Sequence, residues 1–73
     1  SMLCLIKQKS DLWHEANKLR IFLIEYEKKV DLSDEIKEQI SFGLRKADWM
    51  DPLIQKEDEL FKEFDPYKLL KTL

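Results

Sequence analysis

The sequence predicts an all-α fold, a helical bundle in which one long N-terminal helix is packed by two shorter helices and a short C-terminal helix. Gly43 is the only glycine, and each of the two prolines directly follows an aspartate. Hairpin-linked strands need turn residues between runs of alternating polarity, and this chain lacks that pattern. Leucine, lysine and glutamate are abundant, which favours helix.

The length of 73 residues indicates one domain with a small core. Such a core rarely contributes more than about 3–5 kcal/mol unless a disulfide, a metal or oligomerisation adds to it. Cys4 has no second cysteine to pair with, and one cysteine with one histidine cannot form a structural zinc site. We therefore expect no cofactor, and a reduced, buried thiol in a cytoplasmic protein. Ser1 before Met2 is typical of a residue left by cloning, so we expect a part of a longer protein, such as its C-terminal module.

The first predicted helix runs from about Leu3 to Lys29. Apolar residues recur at alternating intervals of four and three, which predicts a helical seam. A wide apolar face predicts burial on more than one side. The seam, broken only at Lys9, is Leu5, Lys9, Leu12, Ala16, Leu19, Leu23, Tyr26 and Val30, and Ile6, Trp13, Phe22 and Ile24 lie beside it.

The second predicted helix runs from about Asp34 to Trp49. Ser33 is a good N-cap residue because its hydroxyl can accept from an amide of the first turn. Gly43 inside this helix costs about 1 kcal/mol relative to alanine. The sequence therefore predicts that another backbone approaches closely at Gly43.

Two Asp-Pro pairs predict the remaining helix starts. Aspartate is a good N-cap, and proline suits the first helical position. Asp51 then caps a third helix from Pro52 to about Phe64. Asp65 caps a short final helix that begins near Tyr67 and reaches Leu73.

Arg20 lies inside the apolar run of the first helix, where a half-buried guanidinium needs a carboxylate. Asp48 and Asp51 flank Trp49 at the turn expected to pack against the middle of that helix. We predict an Arg20–Asp48 or Arg20–Asp51 ion pair. Both Trp13 and Trp49 are expected in the core.

No residue pattern predicts catalysis or ligand binding. His14 has no second histidine or cysteine at helical spacing and is expected on the surface. The acidic run Glu57–Glu59 lacks the alternating ligands and central glycine of a calcium loop and is expected to form a solvated face. No glycine-rich phosphate-binding loop is present. We expect no catalytic, metal or cofactor site and no small-molecule substrate.

Two stretches carry a resemblance to a known group. Trp13, Ala16, Leu19 and Arg20 follow a W-x-x-A-x-x-L-R pattern, and the segment from Ala47 to Leu53 follows A-D-x-x-D-P-L. Together they resemble the C-terminal helical segment of a loose group of uncharacterised bacterial proteins. The resemblance implies a bacterial, intracellular module whose motif residues hold helices together, and it implies no chemistry.

The leading hypothesis is a non-catalytic protein–protein interaction or oligomerisation module. We expect a homodimer, or a complex with another helical protein, because long exposed apolar surfaces normally mark interfaces. No segment approaches the length of about 20 apolar residues that crosses a bilayer. The expected interface is Leu3, Leu5, Ile6, Leu12, Leu19, Leu23 and Tyr26.

The alternative is an accessory nucleic-acid-binding domain. Residues 1–30 contain six Lys/Arg and four Asp/Glu, a net charge of +2, whereas residues 31–73 contain seven and eleven, a net charge of −4. Neither part is strongly basic, so phosphate binding is not favoured. An enzyme fragment has no supporting set of titratable groups. The basic residues of the first helix are Lys7, Lys9, Lys18, Arg20, Lys28 and Lys29.

Overall fold

The computed structural model describes residues 1–70, without the side chain of Leu69, and the predicted all-α fold is confirmed. Two long helices are followed by an irregular segment and a short helix, with no strand in the described range. None of these helices is both long and apolar enough to cross a membrane. The elements are α1 (Met2–Lys29), α2 (Asp34–Met50), a 3₁₀ turn (Glu59–Phe61) and α3 (Pro66–Leu69).

Helix α1 sets the length of the molecule. Its 28 residues span about 42 Å at 1.5 Å per residue, close to the longest dimension of 46 Å. The Ser1 hydroxyl accepts from the Cys4 amide at 3.2 Å and caps the first turn. Val30 takes an extended conformation that ends the helix.

Helix α2 returns antiparallel to α1 after a short connection. Ser33 is its N-cap, as predicted, and its hydroxyl accepts from the Ile36 amide at 3.2 Å. Asp34 and Glu35 in the first turn place negative charge at the positive end of the helix dipole. The order of contacts shows the antiparallel arrangement, because Leu23 lies against Gly43 whereas Leu12 packs in the same cluster as Met50.

The core lies between α1 and the C-terminal part of α2. Small alanine side chains let the two helices approach closely, while one leucine and one methionine fill the space between them. The C-terminal segment covers one side of this cluster. Its buried members are Leu12, Ala16, Ala47 and Met50, and Leu19, Trp49, Tyr67 and Leu70 pack against it.

Gly43 is buried at the contact between α2 and α1. A Cβ atom placed on Gly43 would lie 2.7 Å from Cδ1 of Leu23, closer than two carbon atoms can approach. The prediction that another backbone approaches here is therefore wrong. Glycine makes room for the buried side chain of Leu23.

The predicted third helix, Pro52 to Phe64, is wrong. The Asp51 carbonyl accepts from the amides of Ile54 and Gln55 at 3.2 and 2.9 Å, and its carboxylate accepts from the Leu53 amide at 2.8 Å. These bonds close a turn, which Gln55 ends with a positive φ of 52°. The sequence explains the failure: five polar residues, 55–59, separate its two apolar groups, so no continuous helical stripe forms.

Asp51 is therefore the C-cap of α2 and the head of a turn, not the N-cap of a helix. Asp65 does act as predicted: its carboxylate accepts from the Tyr67 amide at 3.0 Å, with Pro66 in the first turn of α3. That helix ends at Leu69 with Leu70 as its C-cap, and the rest of the predicted continuation, residues 71–73, lies outside the described residues.

Candidate interaction surface

The first eleven residues of the chain are all exposed. Helix α2 ends at Met50, which packs in the same cluster as Leu12, so α2 covers α1 only from Leu12 onward. We call residues 1–11 the arm. Its large apolar side chains are exposed by 57 to 83%; they are Met2, Leu3, Leu5 and Ile6.

The residues predicted as an interface divide between two environments. Leu3, Leu5 and Ile6 lie on the exposed arm. Leu12 and Leu23 are buried, and Leu19 and Tyr26 are half-buried. The assignment of Leu12, Leu19 and Leu23 to a free surface is corrected: α2 of the same chain packs on this part of the seam.

A second apolar stripe runs along the opposite side of α1, and we call it the outer stripe. Its members follow one another at intervals of three or four residues, as on one face of a helix, when the polar residues Ser10 and Asn17 are counted with them. Ile21 and Ile24, which lie in the part of α1 that α2 covers, are each more than half exposed. The outer stripe comprises Leu3, Ile6, Trp13, Ile21 and Ile24.

Trp13 is 39% exposed, so its predicted place in the core is wrong. Trp49 is half-buried and packs against the core cluster.

The residues beside the predicted seam included Ile6, Trp13 and Ile24 but not Ile21. Extending the three-and-four spacing along the outer side of the helix would have identified Ile21 from the sequence.

An open groove of about 560 Å³ lies between the arm and the turn after α2. Ser10 has the shortest side chain among the lining residues and therefore fills the least space on its side of the groove. The turn at Pro52 closes the far side. The groove is lined by Ile6, Lys9, Ser10, Trp13, Pro52, Leu53 and Gln55.

Arg20 joins the middle of α1 to the end of α2 through both predicted carboxylates. Its Nη1 donates to Asp51 Oδ2 at 2.7 Å, and its Nη2 donates to Asp48 Oδ1 at 3.0 Å. The Asp51 side chain is only 3% exposed. Partial burial lowers the Arg20 pKa, but the hydrogen bonds and charges of Asp51 and Asp48 outweigh it, so the net shift is upward. With its charge satisfied on both sides, Arg20 holds the two helices together.

A second ion pair ties the irregular segment to α2. Arg45 Nε donates to Asp58 Oδ2 at 2.9 Å, and Nη2 donates to Asp58 Oδ1 at 2.8 Å. The Arg45 hydrogen bond is the main cause of a lowered Asp58 pKa, helped by the Leu60 amide. The Asp58 side chain is 6% exposed, so its predicted place on a solvated face is wrong. No local sequence signal links these two residues.

An aromatic cleft lies on the outside of α2. The Phe61 ring is 5.3 Å from the Phe42 ring and 5.1 Å from the Trp49 ring, centre to centre. Leu60 and Phe64, at its edges, are 50% and 65% exposed. The cleft measures about 310 Å³, and Lys46 completes its lining.

Cys4 and His14 lie on exposed parts of α1. The Cys4 thiol is exposed, and the prediction of a buried thiol is wrong because α2 does not reach the arm. His14 is exposed, as predicted, with its ring edge-on to Trp13 at 5.0 Å. Within residues 1–70 no group of three His, Cys, Asp or Glu side chains is placed to hold a metal ion.

The basic residues of α1 are partly neutralised by its own acidic residues. Lys18 pairs with Glu15 at 3.0 Å, and Lys28 pairs with Glu25 at 3.1 Å. Arg20 is bound by two carboxylates. This leaves Lys7, Lys9 and Lys29 without an ion pair among the described residues, too few for a strong phosphate-binding stripe.

Comparison with known proteins adds no relative. No protein-family model, curated protein or solved structure matches this chain. The resemblance of its two motifs to a group of uncharacterised bacterial proteins therefore stays a prediction.

Proposed function

We propose that this chain is a non-catalytic self-association module whose contact surface is the outer stripe of α1. The observation that carries the proposal is an exposed row of apolar residues on the side of α1 that faces away from α2. Exposed apolar patches rimmed by polar residues mark interaction sites. The occupant we favour is a second copy of the chain, because closed two-fold dimers are the commonest oligomers.

The size of the domain supports the same conclusion. Among the residues that the structure describes, seven hydrophobic residues are buried: Leu12, Ala16, Leu23, Ile40, Ala47, Met50 and Phe61. Chains of this length usually need an additional source of stability. Within the described residues 1–70 the whole arm is exposed, and most helical stability in proteins comes from packing of an apolar face. A second copy would supply apolar contacts both to the part of α1 that α2 covers, from Leu12 onward, and to the arm.

The cytoplasmic location predicted from the sequence belongs to this proposal, and the helical partner predicted there is the second copy of the chain. The nucleic-acid alternative is weaker. Three of the six basic residues of the α1 sequence are bound to carboxylates within the chain.

The test is the molar mass of the full chain, measured by sedimentation equilibrium over a hundredfold concentration range. We expect the wild type to form dimers at micromolar concentration and Ile21→Glu to remain a monomer. Phe22→Glu is the matched control: Phe22 is the adjacent residue, is 59% exposed and lies outside the outer stripe. Circular dichroism of both variants checks that they remain helical.

A monomeric wild type at every concentration would contradict the proposal. Equal weakening by Ile21→Glu and Phe22→Glu would also contradict it, because the contact would then not follow the outer stripe.

A further inference from the structure

Building on the proposed self-association, we propose that two α1 helices pair antiparallel about a two-fold axis at Asn17, so that Ile24 of each copy fills the groove beside Ser10 of the other. The groove supplies the first reason. The α1 residues that line it, Ile6, Lys9, Ser10 and Trp13, stand at positions i, i+3, i+4 and i+7. Four residues with this spacing form the hole that receives one side chain of a facing helix.

The groove suits an aliphatic side chain. Ser10 leaves space between two large apolar neighbours, Ile6 and Trp13, and Leu53 adds an apolar wall that is 77% exposed. Ile24 lies on the outer stripe and is 53% exposed, so it can reach a second molecule. Placing it in the groove buries apolar surface on both copies.

Pairing Ser10 with Ile24 fixes the rest of the register. In an antiparallel pair, opposed residues lie equally far from the two-fold axis along the sequence, so the axis falls at Asn17, midway between Ser10 and Ile24. Trp13 then faces Ile21, and Asn17 faces Asn17 at the axis. Within each chain the Asn17 side-chain amide donates to the Trp13 carbonyl at 2.9 Å and accepts from Arg20 at 3.3 Å. A polar residue at one such position is known to specify register in paired helices.

Charge complementarity supports the same register independently. The arm carries Lys7 and Lys9 and has no acidic residue before Asp11. The far end of α1 carries Glu25 and Glu27 next to Lys28 and Lys29, and Lys28 pairs with Glu25 at 3.1 Å within its own chain. At the flanks of the antiparallel pair, Lys7 lies beside Glu25 of the second copy, which it would share with Lys28 of that copy, and Lys9 lies beside Glu27. Two-fold symmetry repeats both pairs, giving four contacts between opposite charges.

Other ways of pairing the two α1 helices lose either the apolar fit of the groove or the contacts between opposite charges. A shift of seven residues would pair Leu3 with Ile24, but it would put Asn17 into the apolar groove and oppose Lys7 to Lys18. A parallel pair would leave Lys7 and Lys9 without a facing carboxylate. Like charges across an interface disfavour an alternative partner or register.

Charge reversal tests the register on residues that the monomer fold does not use for its core. We expect Lys7→Glu/Lys9→Glu to weaken dimerisation on the order of tenfold, and Glu25→Lys/Glu27→Lys to do the same. The variant that carries all four substitutions restores opposite charges, and its dissociation constant is expected to lie within a few-fold of the wild-type value. Sedimentation equilibrium at low salt measures all four proteins.

Disulfide trapping locates the contact directly. In a Cys4→Ser background, Ser10→Cys mixed with Ile24→Cys is expected to form a cross-linked heterodimer under mild oxidation. Trapping of Leu3→Cys with Ile24→Cys instead would overturn this register in favour of the shifted one. Trapping of Ser10→Cys with itself would indicate a parallel pair, or an antiparallel pair with its axis at Ser10, and would overturn the register too.

The outcomes separate this inference from the proposed function. If Ile21→Glu abolishes dimers while the charge reversals have no effect and no Ser10–Ile24 cross-link forms, the register is wrong and self-association through the outer stripe stands. If the wild type is monomeric, both proposals fail.

Discussion

The two halves of α1 belong to one continuous helix, yet they lie in different environments. Leu5 and Leu12 are seven residues apart on the same seam, and they are 57% and 1% exposed. The cause is the length of α2: 17 residues against 28 in α1, a difference of about 16 Å at 1.5 Å per residue. A helical apolar pattern thus indicates which side of a helix can be buried, while the length of the neighbouring helix decides how much of it is buried.

The largest expected effect contrasts these two leucines. Leu12→Ala should lower the free energy of unfolding by about 2–5 kcal/mol, because it opens a cavity in the small core. Leu5→Ala should change it by less than about 0.5 kcal/mol in the monomer, because surface substitutions are usually that small. Urea unfolding at concentrations below dimer formation measures both. A Leu5→Ala cost close to that of Leu12→Ala would mean that the arm is covered within the chain.

A smaller effect concerns the carboxylates that hold the covered half of α1. Asp51→Ala should destabilise the fold by about 2–3 kcal/mol, since it removes a buried carboxylate from Arg20 and an acceptor from the Leu53 amide. Asp48→Ala should cost less than about 1 kcal/mol, because the Asp48 side chain is 38% exposed. Thermal unfolding of the two variants and the wild type gives the order. Equal losses would show that burial does not distinguish the two carboxylates.

Local sequence signals predicted the local features of this fold. Seam spacing identified α1, and Ser33 and Asp65 marked helix starts through side-chain acceptors that depend only on the next few amides. The Arg20 contacts were also predictable, because a guanidinium inside an apolar run requires a carboxylate nearby. In each case the physical cause lies in a short stretch or in a strong need for a partner.

The features that failed depend on distant parts of the chain. Asp51 and Pro52 give the same local signal as Asp65 and Pro66, but the residues that follow Pro52 cannot build a continuous apolar stripe and close a turn instead. The Arg45–Asp58 pair requires the path of the irregular segment, which no nearby residue fixes. The division of the α1 seam required the length of α2 and the position at which its end packs.

The most direct test of the central claim is amide hydrogen exchange of α1, measured below and above the concentration at which the chain dimerises. We predict that amides of the arm, from Leu5 to Asp11, exchange much more slowly in the concentrated sample, because packing against the second copy makes local opening of the helix rarer. Amides of α2 near Ala47 should change far less, since they are buried in the monomer. Unchanged exchange of the arm in a sample that sedimentation shows to be dimeric would contradict the claim that the outer side of α1 forms the contact.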